Sequence, residues 1–180
     1  VVTLGSKEGL ANLAQAITSP GDIILYPIPS YPIHPYGFII AGASLRHLPA
    51  MDYGIFNPDL YLERLERSII ESVPAPVAII VSFPSNPTAQ VVSLEFYEEV
   101  VKIALKYNVY ILSDLAYAEI YYDNSPPPSI LQIPKAKEVA VEFTSMSKTY
   151  AMAGWRIGFA VGNIRLINAL TRIKSYLDYG

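Results

Sequence analysis

The chain has 180 residues, about one domain's worth, of which 52% are hydrophobic and 16% charged against a usual charged share of roughly 25%; that apolar excess excludes a disordered tail or a nucleic-acid arm. Its net charge of −3, from 13 basic and 16 acidic residues, gives it no general attraction for phosphate backbones or anionic lipid. With no cysteine and only two histidines, His34 and His47, it has no disulfide scaffold, no Cys-ligated zinc site, no thiol catalysis and no His-rich metal centre.

After Gly5 comes a helical pattern with Leu10, Leu13, Ala14 and Ile17 on one face, stopped by Ser19-Pro20-Gly21. Residues 22–26 read as a short apolar strand, 27–35 as a proline-rich loop, 36–43 as a helix and 44–48 as a strand. Residues 59–71 are amphipathic, with Leu62, Leu65 and Ile69 inward. Residues 77–82 form an apolar run of strand length, as expected of a strand covered on both faces. Ser93 opens a helix as N-cap, and Phe96, Val100, Ile103 and Ala104 continue its buried side. Residues 109–113, 139–144 and 155–161 read as three more strands, 123–128 as a surface loop, and 164–177 as a closing helix.

Short apolar strands alternating with amphipathic helices predict an α/β fold of three layers, a mostly parallel sheet with helices on both faces. Function in such sheets sits in the loops beyond the carboxyl ends of the strands. The segments to inspect are therefore 5–8, 29–31, 83–88, 114–117 and 144–155, where the polar and glycine residues gather.

No apolar run approaches the roughly 18–20 residues needed to span a bilayer. The start, Val1-Val2-Thr3-Leu4-Gly5, lacks the charged leader of a signal peptide and reads as a strand or loop already in progress. The expectation is a piece of a longer, cytoplasmic protein.

Thr144-Ser145-Met146-Ser147-Lys148 follows a strand, and Gly154-Trp155-Arg156-Ile157-Gly158 comes shortly after. A lysine there is placed to lose solvation and become a usable amine nucleophile, able to form a Schiff base. Arg156 adds a planar fork suited to phosphate. Asp114 ends a strand with Tyr117 three residues on; a carboxylate facing a sheltered cleft needs a cationic partner, although a turn-capping aspartate fits the same position. Ser85-Asn86-Pro87-Thr88 is either a functional carboxamide loop or an ordinary X-Pro turn. Gly5-Ser6-Lys7 runs straight into a helix whose free N–H groups could cradle a phosphate or simply begin the helix. No P-loop and no G-x-G-x-x-G occurs, which disfavours nicotinamide binding. An amine, a carboxylate, a phenol, a carboxamide, an anion cradle and the aromatic face of Tyr31 are together what pyridoxal 5′-phosphate requires.

The order phosphate loop, aromatic, S-N-P-T, D-x-x-Y, S-x-S-K, G-W-R-x-G resembles the class I/II aminotransferases, pyridoxal-phosphate enzymes of fold type I, over essentially the whole chain. Gly5-Ser6-Lys7-Glu8-Gly9-Leu10, Pro29-Ser30-Tyr31-Pro32-Ile33-His34, Phe83 to Gln90, Asp114-Leu115-Ala116-Tyr117-Ala118 and Arg172-Ile173-Lys174-Ser175-Tyr176 resemble the branch holding the bacterial glutamate–pyruvate (alanine) transaminases. The diaminopimelate and aspartate branches are close neighbours. Ala89 stands where many members have glycine, a substitution this branch tolerates.

The resemblance implies catalytic roles for Lys148, Asp114 and Tyr117. Lys148 would bond the cofactor aldehyde and shuttle a proton, Asp114 would pair with the ring nitrogen, and Tyr117 with Asn86 would hydrogen-bond the phenolic oxygen. Gly5, Ser6, Lys7, Ser145 and Arg156 would form the phosphate site, and Tyr31 would stack on the ring. Pro27, Pro29, Pro32 and Pro35 would stiffen the loop that aims Tyr31, and Pro84 and Pro87 would brace Asn86. It implies amino transfer between an amino acid and a 2-oxo acid, with C–S β-lyase or racemase chemistry on the same cofactor and a non-catalytic domain of the same fold as rivals. It also implies a homodimer, and residues 1–180 as the cofactor-binding large domain alone. The family's N-terminal arm, its substrate-carboxylate arginine and the partner's phosphate tyrosine have no place in the chain, which by itself is expected to be weakly active or inactive.

Overall fold

The computed structural model of the protein describes residues 1–178. In chain order it contains β1 (Val2–Thr3), α1 (Ser6–Ile17), β2 (Ile23–Ile28), α2 (Ile33–Ile40), β3 (Ser44–Pro49), a hairpin of β4 (Met51–Asp52) and β5 (Ile55–Phe56), and α3 (Pro58–Ile70). There follow β6 (Ala78–Val81), α4 (Leu94–Tyr107), β7 (Tyr110–Asp114), a 3-10 turn (Ile130–Gln132), α5 (Ala136–Val139) and β8 (Ala140–Ser145). The one-turn α6 (Met146–Thr149), a second 3-10 turn (Ala153–Trp155), β9 (Gly158–Gly162) and α7 (Ile164–Leu177) complete it.

Alternation along the strands decides which helices cover which face. Ile23, Leu25, Ile79, Val81, Ile111 and Ala140 point to one side, where Tyr61, Leu65 and Ile69 of α3 and Phe96, Val100 and Ala104 of α4 pack on them. Ile24, Ile80, Leu112, Val141 and Phe143 point to the other, beneath Leu10 and Leu13 of α1, Phe38 of α2 and Leu166 and Leu170 of α7. Because both sides of each central strand are covered, the strands read as unbroken apolar runs. The seven strands lie in the order β1-β9-β8-β7-β6-β2-β3. All the neighbour pairs from β8 to β3 are parallel, and β9 runs antiparallel to both β8 and β1, so among the described residues β9 alone is reversed. This is the expected three-layer α/β architecture.

Local caps set several helix starts. Ser93 accepts from the Phe96 N–H at 3.3 Å, Asn57 from the Leu60 N–H at 3.1 Å ahead of Pro58, and Asn163 from the Arg165 N–H at 2.9 Å.

Three boundaries depart from the sequence reading. β2 continues through Pro27 to Ile28, because Pro27 lies beyond the residues that pair with β6 and its missing N–H breaks no bond there. The helix expected at 36–43 is α2, which begins at Ile33 and carries Pro35 in its first turn, where a proline N–H would have had no partner in any case. The strand expected at 155–161 begins only at Gly158. Ala153–Trp155 is a 3-10 turn, and Arg156 adopts φ 53° and ψ 48° while its guanidinium bonds backward to Ala153 and across to Leu4.

One polar cluster fixes the start of α1. Lys174 of α7 is 1% exposed, and its Nζ donates to Glu8 Oε1 at 2.9 Å and Asp178 Oδ2 at 3.1 Å. Burial works against the ammonium, but the two carboxylates overcome it and hold its pKa above the ordinary lysine value. Glu8 Oε2 in turn accepts from the Leu4 N–H at 2.7 Å, so α7 ties down the residues just ahead of Gly5. Replacing Lys174 by methionine should lower stability by about 2–4 kcal/mol in urea unfolding, because it leaves two carboxylates facing each other without their cation. An unchanged midpoint would show that the cluster is not structural.

Candidate active site

Parallel strands deliver their carboxyl ends to one edge, and the predicted residues converge there. A cavity of about 220 Å³ is lined by Ser6, Lys7, Tyr31, Asn86, Asp114, Tyr117, Ser145, Lys148 and Arg156, with Ser82, Ala116, Ser147 and Ala153 completing its wall. Gly5, the remaining predicted residue, stands directly behind it. At Gly5 φ is +83°, and a Cβ there would lie 2.5 Å from Arg156 Nη2, so glycine meets both a backbone and a space requirement.

Asp114 closes β7 and is 6% exposed. Its Oδ2 lies 3.1 Å from His34 Nε2, and its Oδ1 is buried with no hydrogen-bond partner among the described residues. An ionised carboxylate only accepts, so His34 Nε2 carries the hydrogen of this pair. His34 is 1% exposed in the first turn of α2, and its Nδ1 lies 2.7 Å from Ser30 Oγ. The expected partner of Asp114 is therefore half supplied within the chain, and the second oxygen faces the cavity unpaired. His34 was not singled out as a site residue. The available signal was its position three residues after Tyr31, but the prolines on either side masked the helix that turns it inward.

Around the anion cradle, Ser6 and Lys7 are the first two residues of α1, whose opening N–H groups have no acceptor within the helix. Arg156 uses three donor contacts inside the chain: Nη1 to Ser147 Oγ at 3.1 Å, Nη1 to Ala153 O at 3.1 Å, and Nη2 to Leu4 O at 3.1 Å. A guanidinium has five N–H groups, so this anchoring orients Arg156 and still leaves donors for an anion. Ser145 caps α6, accepting from the Ser147 N–H at 3.2 Å. Ser147, which sequence reasoning passed over, both lines the cavity and steadies Arg156.

Across the cavity, Asn86 Nδ2 donates to Tyr117 Oη at 3.3 Å. That bond fills an acceptor position on the phenol and leaves its own hydrogen to be donated elsewhere. Tyr31 meets the His34 ring edge-on, with centroids 6.1 Å apart, and Lys7 Nζ lies 5.9 Å from the Tyr31 centroid. Lys148 sits on α6 with its Nζ 5.9 Å from the Tyr117 ring centroid. The desolvation expected of it is not met, because the side chain is exposed at the cavity mouth. The helical turn capped by Ser145 carries Lys148 outward rather than beneath the strand end.

This donor set fits pyridoxal 5′-phosphate. The unpaired Asp114 oxygen matches a ring N–H, the Asn86–Tyr117 pair a phenolic oxygen, the α1 start and Arg156 a phosphate, and Lys148 an aldehyde. Among the described residues no helix is long and apolar enough to cross a membrane.

Comparison with known proteins gives the same assignment. Over its whole length the chain is 57% identical to glutamate-pyruvate aminotransferase AlaC of Escherichia coli (strain K12), of which it covers 42%. It is 48% identical to an LL-diaminopimelate aminotransferase of Aquifex aeolicus, of which it covers 46%. The solved structure of Thermus thermophilus aspartate aminotransferase with maleate superposes on 98% of the chain with a TM-score of 0.85 at 29% identity, and the match covers 44% of that chain. The chain thus spans less than half the length of the relatives it matches. Residues 1–177 match the family Aminotransferase class I and II, and the chain belongs to that family, whose cofactor is pyridoxal 5′-phosphate.

Proposed function

We propose that this chain is the cofactor-binding large domain of a transaminase that moves an amino group between an L-α-amino acid and a 2-oxo acid, with alanine and glutamate as donors and pyruvate and 2-oxoglutarate as acceptors. One observation carries the reading: a buried carboxylate with an unpaired oxygen and a lysine amine open into the same 220 Å³ cavity. The substrate pair is supported by the likeness to AlaC. The diaminopimelate aminotransferase of Aquifex aeolicus supports a second reading with a longer donor. The proposal includes a homodimer in the cytoplasm, for which the exposed apolar side chains of Tyr36, Ile39, Ile40 and Trp155 offer surface to be covered.

When bound, the cofactor supplies an aldehyde and an electron-withdrawing ring that accepts negative charge from the amino acid's α-carbon. The chain's own groups then divide the work. Asp114 Oδ1 would hold a proton on the ring nitrogen, because a buried carboxylate oxygen with no partner among the described residues is stabilised by a cationic donor. His34 keeps Asp114 oriented through Oδ2. Tyr117, held by Asn86, would donate its hydrogen to the phenolic oxygen. Ser6, Lys7, Ser145 and Arg156 would hold the phosphate, with Tyr31 beside the ring. Lys148 Nζ, which opens into the cavity, would be the amine that holds the aldehyde and the base that moves the substrate's α-proton.

In the full-length protein, Lys148→Ala should abolish the visible absorption of the lysine-bound cofactor and cut amino transfer by about a thousandfold or more. A variant that kept both would remove lysine from the mechanism. In the wild-type protein the same absorption should bleach on adding alanine or glutamate, and less or not at all with aspartate or diaminopimelate. Bleaching by diaminopimelate alone would move the assignment to the second reading. His34→Ala should weaken cofactor affinity roughly tenfold in equilibrium titration, because it removes the contact that orients Asp114 and aims Oδ1 into the cavity. Wild-type affinity in that variant would mean that Asp114 is held by its strand alone.

A further inference from the structure

Glu142 lies in mid-strand β8 and is 4% exposed. It makes no salt bridge among the described residues. Three donors meet it instead: Ser129 Oγ at 2.6 Å on Oε1, and the Ile130 N–H at 3.1 Å and Ser113 Oγ at 3.2 Å on Oε2. Burial pushes its carboxyl above the ordinary range, and the Ser129, Ile130 and Ser113 donors pull it back. An apolar side chain of similar volume would fill this place at less cost, so packing does not account for an acid here.

The three donors come from the two ends of one loop. Ser113 is the residue before Asp114 in β7, and in the strand register it stands directly opposite Glu142. Ser129 and Ile130 mark the return of the chain to the sheet. Between them residues 115–128 form no helix or strand, and residues 119–126 are all exposed. The outgoing limb is fixed by the Leu115 N–H on Phe143 O at 2.8 Å, and inside the loop the turn bond from the Ile120 N–H to Tyr117 O is 3.1 Å. The capping box between Ser129 and Gln132 is local and moves with the return limb. Ile130 is buried in the core, and Glu142 adds the hydrogen bonds that join this limb to Ser113 of β7. The loop carries Tyr117 into the 220 Å³ cavity. Its Tyr121, Tyr122 and Pro126–Pro128 wall a second space of about 830 Å³ that opens from the same Asn86 and Tyr117.

We propose that Glu142 is a positioning residue: its carboxylate pins the return limb of loop 115–128 to β7, and through that loop it holds Tyr117 over the cofactor site and sets the width of the adjoining space. The part that concerns Tyr117 rests on the cofactor reading given above. A residue that only stabilised the fold would affect melting and nothing at the cofactor. A positioning residue moves the cofactor's spectrum and the loop together.

The test compares Glu142→Ala, Glu142→Gln, Tyr117→Phe and the double variant Glu142→Ala/Tyr117→Phe in the cofactor-loaded protein. It reads the pH midpoint of the bound cofactor's visible absorption, and separately the hydrogen exchange of residues 115–128 without cofactor. Glu142→Ala should shift the midpoint by roughly half a pH unit or more in the same direction as Tyr117→Phe. The double variant should shift no further than Tyr117→Phe alone. Exchange at the hydrogen-bonded Leu115 and Ile120 amides of the loop should rise by about tenfold or more while β7 and β8 stay protected. Glu142→Gln, which keeps one acceptor, should show the same changes at smaller size, and it carries the test if the alanine variant fails to fold. A lower melting temperature with unchanged midpoint and unchanged loop exchange overturns the proposal, as does a double variant whose shifts simply add. A wild-type protein with no cofactor absorption overturns the cofactor reading instead, and exchange in the cofactor-free protein still decides whether Glu142 holds the loop.

Discussion

Burying a carboxylate at the end of a strand is unfavourable unless a donor meets each of its oxygens. For Asp114 the described residues supply only one. His34 reaches Oδ2 from α2, and Oδ1 stays buried and unpaired at the wall of a cavity. The rest of the site is arranged around that deficit. In the proposed reading a protonated ring nitrogen would satisfy it, and the amine of Lys148, the phenol of Tyr117 and the anion cradle of Ser6 and Arg156 line the same cavity. The pairing is strong to the extent that water stays out, because the effective dielectric sets its size.

The constraint reaches back into the fold. Asp114 is buried because β7 lies inside a parallel sheet covered on both faces, by α3 and α4 on one side and by α1, α2 and α7 on the other. The site lies at the carboxyl edge because parallel strands end there together. Loops beyond that edge have few backbone bonds of their own, so side chains rooted in helices and strands hold them. Lys174 and Glu8 secure the approach to Gly5, Arg156 ties Leu4 to Ala153, and Glu142 secures the return of the loop bearing Tyr117. Lys174 and Glu142 do this from inside the core and Arg156 from the surface, each placed where it holds a loop.

Most of this was legible from residue types alone. Continuous apolar runs such as Ala78–Val81 announce strands covered on both sides, and Ser93 with its downstream apolar stripe announces α4. The residues that line the cavity were legible because their chemistry is mutually dependent: carboxamide, aspartate, lysine and arginine, in that order along the chain, fit one cofactor. What escaped was local geometry that proline and glycine conceal. Prolines 32 and 35 read as loop, yet they occupy the cap and first turn of α2, which hid the orientation of His34. The β4–β5 hairpin turns through Tyr53 at φ 47° and Gly54 at φ 82°, a left-handed pair that Tyr-Gly does not advertise as Asn-Gly would. The exposure of Lys148 escaped as well, because whether α6 turns the side chain inward or outward depends on the Ser145 cap, not on hydrophobic pattern. Partners of buried acids are tertiary facts. No spacing rule links Glu142 to Ser129, or Asp114 to His34 eighty residues earlier.

The central claim is that the unpaired Asp114 oxygen receives a protonated ring nitrogen. It is tested most directly by the ¹⁵N chemical shift of that nitrogen in isotopically labelled pyridoxal 5′-phosphate bound to the wild-type protein and to Asp114→Asn. The nitrogen should be protonated in the wild type at neutral pH and should lose its proton in the variant. An unprotonated nitrogen in the wild type, or an identical shift in both proteins, would contradict it.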